Sequence, residues 1–164
     1  VQNTPETVLA IDVGTAIVGW GVVQKQLNKN IYTASGAIFT AKEEQISHRL
    51  LSIFQELNLL IQTYKPDAIA IEDLFFFKNN KTVISVSEAR GVILLAASLN
   101  KIPDFTFTPL QVKSAVTGYG RAEKKQVQFM VTKILGLKEI PKPDDIADAL
   151  ALAICYLNTK QYDR

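Results

Sequence analysis

Thr7-Val8-Leu9-Ala10-Ile11-Asp12-Val13-Gly14-Thr15 is an apolar run that ends on a carboxylate and then turns at a glycine. A run this short and this apolar reads as a strand over 7–13, buried on both faces and hence central in a sheet. An acid at the end of such a strand is costly to desolvate unless a cation offsets it. Gly14 supplies backbone freedom or lets a phosphate approach closely. The alternative is a turn aspartate bonded to its own backbone.

Outward from this strand, 17–25 and 31–40 read as two more strands. The short link Leu27-Asn28-Lys29-Asn30 predicts a hairpin between them. Residues 43–64 place Ile46, Leu50, Ile53, Phe54, Leu57, Leu60, Ile61 and Tyr64 at helical spacing, and Pro66 ends that helix. The continuously apolar 68–72 predicts another central strand, closing on Glu72. Residues 82–100 read as a helix whose second half is apolar all round, so both its faces should be covered. Phe105-Thr106-Phe107-Thr108 is a further strand, and helices are expected over 109–116, 123–136 and 144–158. The order β-β-β-α-β-α-β-α-α-α predicts an α/β fold, a mixed five-stranded sheet with helices on both faces.

The 164 residues suggest one domain, 1–164. With 48% hydrophobic and 21% charged residues, the composition is that of an ordinary globule. No run reaches the roughly 18 apolar residues of a membrane span, and Val1 to Glu6 has no signal-peptide character. The single cysteine, Cys155, falls in an apolar helix pattern and cannot form an internal disulfide. A cytoplasmic location is the expectation. The net charge of +2 is uninformative, but its distribution is not. Between Lys113 and Lys138 lie Lys113, Arg121, Lys124, Lys125, Lys133 and Lys138 against Glu123 alone. The loop around Lys78 and Lys81 is basic too. Basic patches beside acids suit a phosphodiester held by its backbone and cut at a metal site.

The acids are Asp12, Glu72, Asp145 and Asp148. Glu is uncommon in strands and cores, so Glu72 at the end of an apolar strand points to a site; a strand-end Glu reaching solvent is the plainer reading. Asp145 and Asp148 are three apart and share a helix face. They lie in a first turn, where the helix dipole favours anions, so capping could explain them, with Asp144 as the N-cap. Capping explains Asp148 less well, because it adjoins the apolar run from Ala149 to Ile154. Phe75, Phe76 and Phe77 stand beside Lys78 and Lys81; core packing and base stacking both suit such aromatics. His48 lies on a polar helix face and receives no role. No Cys/His cluster exists, so zinc is not expected. Asp-x-Gly-Thr by itself also fits the first phosphate loop of sugar kinases and heat-shock ATPases. That phosphotransferase fold needs two related lobes and a longer chain. A non-catalytic junction-binding module would keep the basic patches without the acids.

The chain resembles RuvC-type Holliday junction resolvases of the RNase H-like superfamily, from about residue 7 to about 158. The matching stretches are Ile11 to Ala16 with Gly19-Trp20-Gly21, and Ala70-Ile71-Glu72 with Phe75, Lys78-Asn79 and Ala89-Arg90-Gly91-Val92. Pro109 to Gly120, Ala122 to Val127 and Pro143 to Cys155 match as well. The resemblance implies that Asp12, Glu72, Asp145 and Asp148 are metal-binding carboxylates; hard oxygen ligands suit Mg²⁺ or Mn²⁺, and two such ions roughly 4 Å apart are expected. It implies that Phe75 acts at the junction centre and that Lys113 and Lys124 lie near the scissile phosphate. Lys78, Lys81, Arg121 and Lys125 are the other expected DNA contacts. A homodimer on four-way junction DNA is implied, served by the branch-migration proteins RuvA and RuvB. The 82–100 helix is expected at or beside the dimer interface; Val86 and Ile93 share one of its faces and are examples of positions to test, but the sequence leaves open which face meets the partner. Two departures stand out: Val13 where the family usually has Pro, and Asp73 where Gln is usual.

Overall fold

The computed structural model describes residues 5–73 and 80–159, apart from the side chains of 80–82. Its strands are β1 (Glu6–Asp12), β2 (Ile17–Gln26), β3 (Lys29–Phe39), β4 (Ala68–Glu72) and β5 (Asp104–Phe107). Its helices are α1 (Ile46–Tyr64), α2 (Asn80–Leu99), α3 (Pro109–Thr117), α4 (Lys124–Ile134) and α5 (Asp144–Thr159). The strands form one sheet in the order β3-β2-β1-β4-β5. β1, β2 and β3 are antiparallel neighbours, whereas β4 runs parallel to β1, and β5 parallel to β4. The mixed five-stranded sheet and its element order match the reading from sequence.

Alternation along the strands sorts the core into two layers. Val8, Ala10, Ala68 and Ala70 face α3, α4 and α5, while Leu9, Ile11, Ile69 and Ile71 face α1 and α2. The sorting carries straight to the strand ends. Asp12 continues the Val8–Ala10 face and Glu72 the Ala68–Ala70 face, so both acids project toward α5. Alanine at positions 10 and 70 keeps that face shallow, and the alanine-rich α5 lies close upon it, buried from Ile146 to Leu157 save for Asp148.

Two local differences have clear causes. Helix α1 begins at Ile46 rather than 43, because Gln45 is extended at ψ 142° and bonds between 41 and 44 close a turn first. It ends at Lys65, left-handed at φ 46°, whose N–H still reaches the Ile61 carbonyl before Pro66 stops the helix. In α2 the expectation of cover on both faces is only half met. Val86, Ala89, Ile93, Ala96 and Ala97 are buried against the molecule's own core, whereas Ile84, Leu95 and Leu99 are exposed.

Candidate active site

Two parallel strands bring two acids to one edge of the sheet. Ile11 of β1 pairs with Ile71 of β4, so Asp12 and Glu72 follow side by side. Helix α5 brings the rest. It can come down at the end of β1 only because β2 carries no side chain there. Gly19 is the β2 partner of Asp12, and a Cβ on Gly19 would lie 2.1 Å from the Asp145 carbonyl oxygen. A Cβ on Gly21 would meet Leu150 at 2.6 Å. Trp20, between them, projects to the opposite face and packs tilted against Tyr64, with ring centroids 6.0 Å apart. Gly19-Trp20-Gly21 is thus the seat of α5, a role that sequence reasoning did not assign. Glycines at i and i+2 of a strand were the available signal, since they clear one face of the sheet.

Asp12, Glu72 and Asp148 line one cleft of about 230 Å³ together with Lys113 and Lys124. Val112, Val127, Ala151 and Leu152 supply apolar wall. Asp145 does not line the cleft. It sits over Gly19 and acts on Asp12 through its charge. The lysines are aimed by two capped helices. The Thr108 N–H donates to Gln111 Oε1 at 2.8 Å, and the Glu123 N–H to Gln126 Oε1 at 2.9 Å, which fixes the starts of α3 and α4.

The electrostatics follow from burial and crowding. Burial lifts the Asp12 carboxyl to about 7, and the charges of Asp148, Glu72 and Asp145 push the same way, against Lys124. Burial raises Glu72 as well, reinforced by Asp148 and opposed by Lys113 and Lys124. Asp148 is raised by burial, although Lys124 bonds to it and pulls back. For Lys124 burial works against the ammonium. The bonds and charges of Asp148 and Asp144 outweigh that and leave its pKa above the ordinary lysine value. Crowded carboxylates that resist ionisation form a hard-oxygen donor set with unmet demand for positive charge, and this chemistry fits a divalent cation. Among the described residues, no three Asp, Glu, His or Cys side chains are drawn tightly around a common point. The Lys124 ammonium holds Asp148 instead, at 3.0 Å.

Asp144 had been expected to cap α5. It begins the helix, and its carboxylate pairs with Lys124 at 3.3 Å, so it belongs to the site's charge network. This contact joins residues twenty apart in sequence, and no local pattern announces it. Lys125 and Arg121 are exposed and outside the acidic cleft. Lys125 lines a separate groove with Tyr119, Gln126 and Phe129. Phe75 and Lys78 lie outside the described residues, as does the side chain of Lys81.

Comparison with known proteins fits this geometry. The sequence profile of the crossover junction endodeoxyribonuclease RuvC matches residues 8–156. The chain belongs to the RuvC family. A RuvC from Fusobacterium nucleatum is 55% identical over 152 residues, which cover 93% of this chain and 80% of that one. The solved T. thermophilus RuvC in complex with Holliday junction substrate superposes with a TM-score of 0.87 at 32% identity, covering 96% of each chain. The yeast mitochondrial Holliday junction resolvase Ydc2 shares the fold, with a TM-score of 0.72 at 17% identity, covering 94% of this chain and 78% of that one. The RuvC family comprises crossover junction endodeoxyribonucleases, the enzymes that resolve Holliday junctions, on an RNase H-like fold. Membership settles the choice between nuclease and phosphotransferase that Asp-x-Gly-Thr left open. No helix among the described residues is long and apolar enough to cross a membrane.

Proposed function

We propose that this chain resolves four-way DNA junctions by hydrolysing one phosphodiester in each of two opposed strands. The chemistry belongs to the cleft where the ends of β1, β4 and α5 converge. The observation that carries this is the placement of Asp12, Glu72 and Asp148 around one opening with Lys113 and Lys124. Asp12, Glu72, Asp145 and Asp148 would hold Mg²⁺ or Mn²⁺, which would supply Lewis-acid chemistry to the attacking water and the departing 3′ oxygen. Asp12 feels the charges of all three other carboxylates and is the acid with most to gain from a bound cation. Lys113 and Lys124 offset phosphate charge as the attacking oxygen bonds to phosphorus. The P–O3′ bond breaks, leaving a 5′ phosphate and a 3′ hydroxyl. The apolar wall from Val112 to Leu152 limits bulk water around these charges.

Arg121 and Lys125 extend the positive surface beyond the cleft and suit backbone phosphates. Phe75, Lys78 and Lys81 keep their assigned DNA contacts on the resemblance alone. The homodimer is proposed on α2, at the face that the chain leaves exposed rather than the face of Val86 and Ile93, which is buried in its own core. Ile84 (63% exposed), Leu95 (53%) and Leu99 (62%) share a stripe with Gly91, where a Cβ would meet nothing within 4 Å. A two-fold dimer matches the symmetry of a junction cut on opposed strands. RuvA and RuvB are the proposed suppliers of that junction. We read residues 1–164 as one nuclease domain working in the cytoplasm, a location supported by the bacterial relatives.

The test is cleavage of a labelled four-way junction and of linear duplex, each with Mg²⁺ and with EDTA. Paired nicks confined to the junction, dependent on Mg²⁺ and sealed by DNA ligase, are expected. Equal cutting of linear duplex, or cutting in EDTA, would contradict the proposal.

A further inference from the structure

Lys124 is the first residue of α4, the end at which the helix dipole disfavours a cation. Two carboxylates of α5 nevertheless hold its ammonium there: Asp148 at 3.0 Å and Asp144 at 3.3 Å. Asp148 lines the cleft and Asp144 does not, so Asp144 is an acid that the four-carboxylate set leaves unused. Both bonds converge on one nitrogen, so the lysine is clamped rather than merely attracted.

We propose that Asp144 is a positioning residue that parks Lys124 on Asp148, so that the lysine and a divalent cation compete for that carboxylate until a DNA phosphate draws the lysine off. The inference rests on the metal reading of the cleft given above. The Lys124 side chain is 52% exposed, so its four-carbon stem is free to swing toward a phosphate entering beside it. A group that must leave one ligand before another can bind links the two events thermodynamically. DNA that takes up the ammonium raises the affinity for the cation, and the cation raises the affinity for DNA by the same factor. Asp144 sets the strength of that link by deciding how firmly Lys124 rests on Asp148.

The rival account makes Asp144 a bystander charge that simply attracts cations. The two differ in what Asp144 does once Lys124 is gone. Without the lysine, loss of Asp144 only removes attraction. With the lysine present, the same loss also releases Asp148.

The experiment is calorimetric titration of Mn²⁺ into the DNA-free chain for wild type, Asp144→Asn, Lys124→Gln and the double variant. Thermal melts confirm that each is folded. Lys124→Gln should bind Mn²⁺ about two- to fivefold more tightly, the range that ion pairs of half-exposed partners carry. Asp144→Asn should weaken Mn²⁺ binding in the Lys124→Gln background. In the wild-type background it should weaken binding by at least about twofold less, or tighten it. An equal factor in both backgrounds would overturn the proposal and leave the metal site standing. Mn²⁺ binding that is absent, or indifferent to Asp12→Asn, would instead overturn the metal reading and the proposal with it.

Discussion

Asp12 carries the largest electrostatic strain of the described acids. Its carboxyl ionises near 3.8 in an ordinary setting and at about 7 in the folded chain. Between those values the native state binds more protons than the unfolded state. Stability of the metal-free protein therefore falls as pH rises through this window, and the loss is complete above about 7. Asp12→Asn removes the cost, which is on the order of a few kcal/mol. The variant should melt higher than wild type at pH 8 without metal, by several degrees, and the gap should close toward pH 4. Added Mg²⁺ should raise the melting temperature of wild type more than that of the variant. Parallel melting curves across pH for the two proteins would contradict the assigned burial. Asp12 and Glu72 were legible in the sequence because an acid that ends an apolar strand is an anomaly. Asp145 and Asp148 were legible as a pair by spacing alone. The hold of Asp144 and Asp148 on Lys124 was not, because it arises only when α4 and α5 pack together.

At the scale of elements, α5 and α2 make the sharpest claims. Gly19→Ala would push a methyl group to 2.1 Å from the Asp145 carbonyl, which is backbone and cannot swing away. Overpacking of this kind costs about 1–3 kcal/mol. Urea denaturation should show that loss together with a large drop in junction cutting, since the first turn of α5 must lift from the sheet. Unchanged cutting would mean that α5 does not take its position from β2. For α2, the proposed dimer predicts that wild type sediments as a dimer and Leu95→Glu as a folded monomer. Ile93→Glu should unfold the chain instead, because Ile93 is wholly buried in its own core. A stable dimer of Leu95→Glu would move the interface elsewhere. The sequence showed that the second half of α2 is apolar all round. It could not show which face the chain covers for itself, because that depends on where α1 and the sheet meet the helix.

The whole molecule was readable to the level of a mixed five-stranded sheet with helices on both faces, because hairpin strands and then strands alternating with helices leave few topologies; the strand order β3-β2-β1-β4-β5 came from the structure. Its logic is that β1 and β4 run parallel and stop together. Their final acids then face the layer that holds α5, and the alternation that builds the core aims the site as well. The sequence was silent on how closely α5 approaches, since that depends on Gly19 and Gly21 lying across from Asp12 and its neighbours in the sheet. The central claim is that these carboxylates perform the cut and are not needed to recognise the junction. The direct test is Asp12→Asn with a labelled four-way junction in saturating Mg²⁺, measuring nicking and binding in parallel. The account predicts that nicking is abolished while junction affinity stays within a few-fold of wild type. Substantial nicking by Asp12→Asn under these conditions would contradict it.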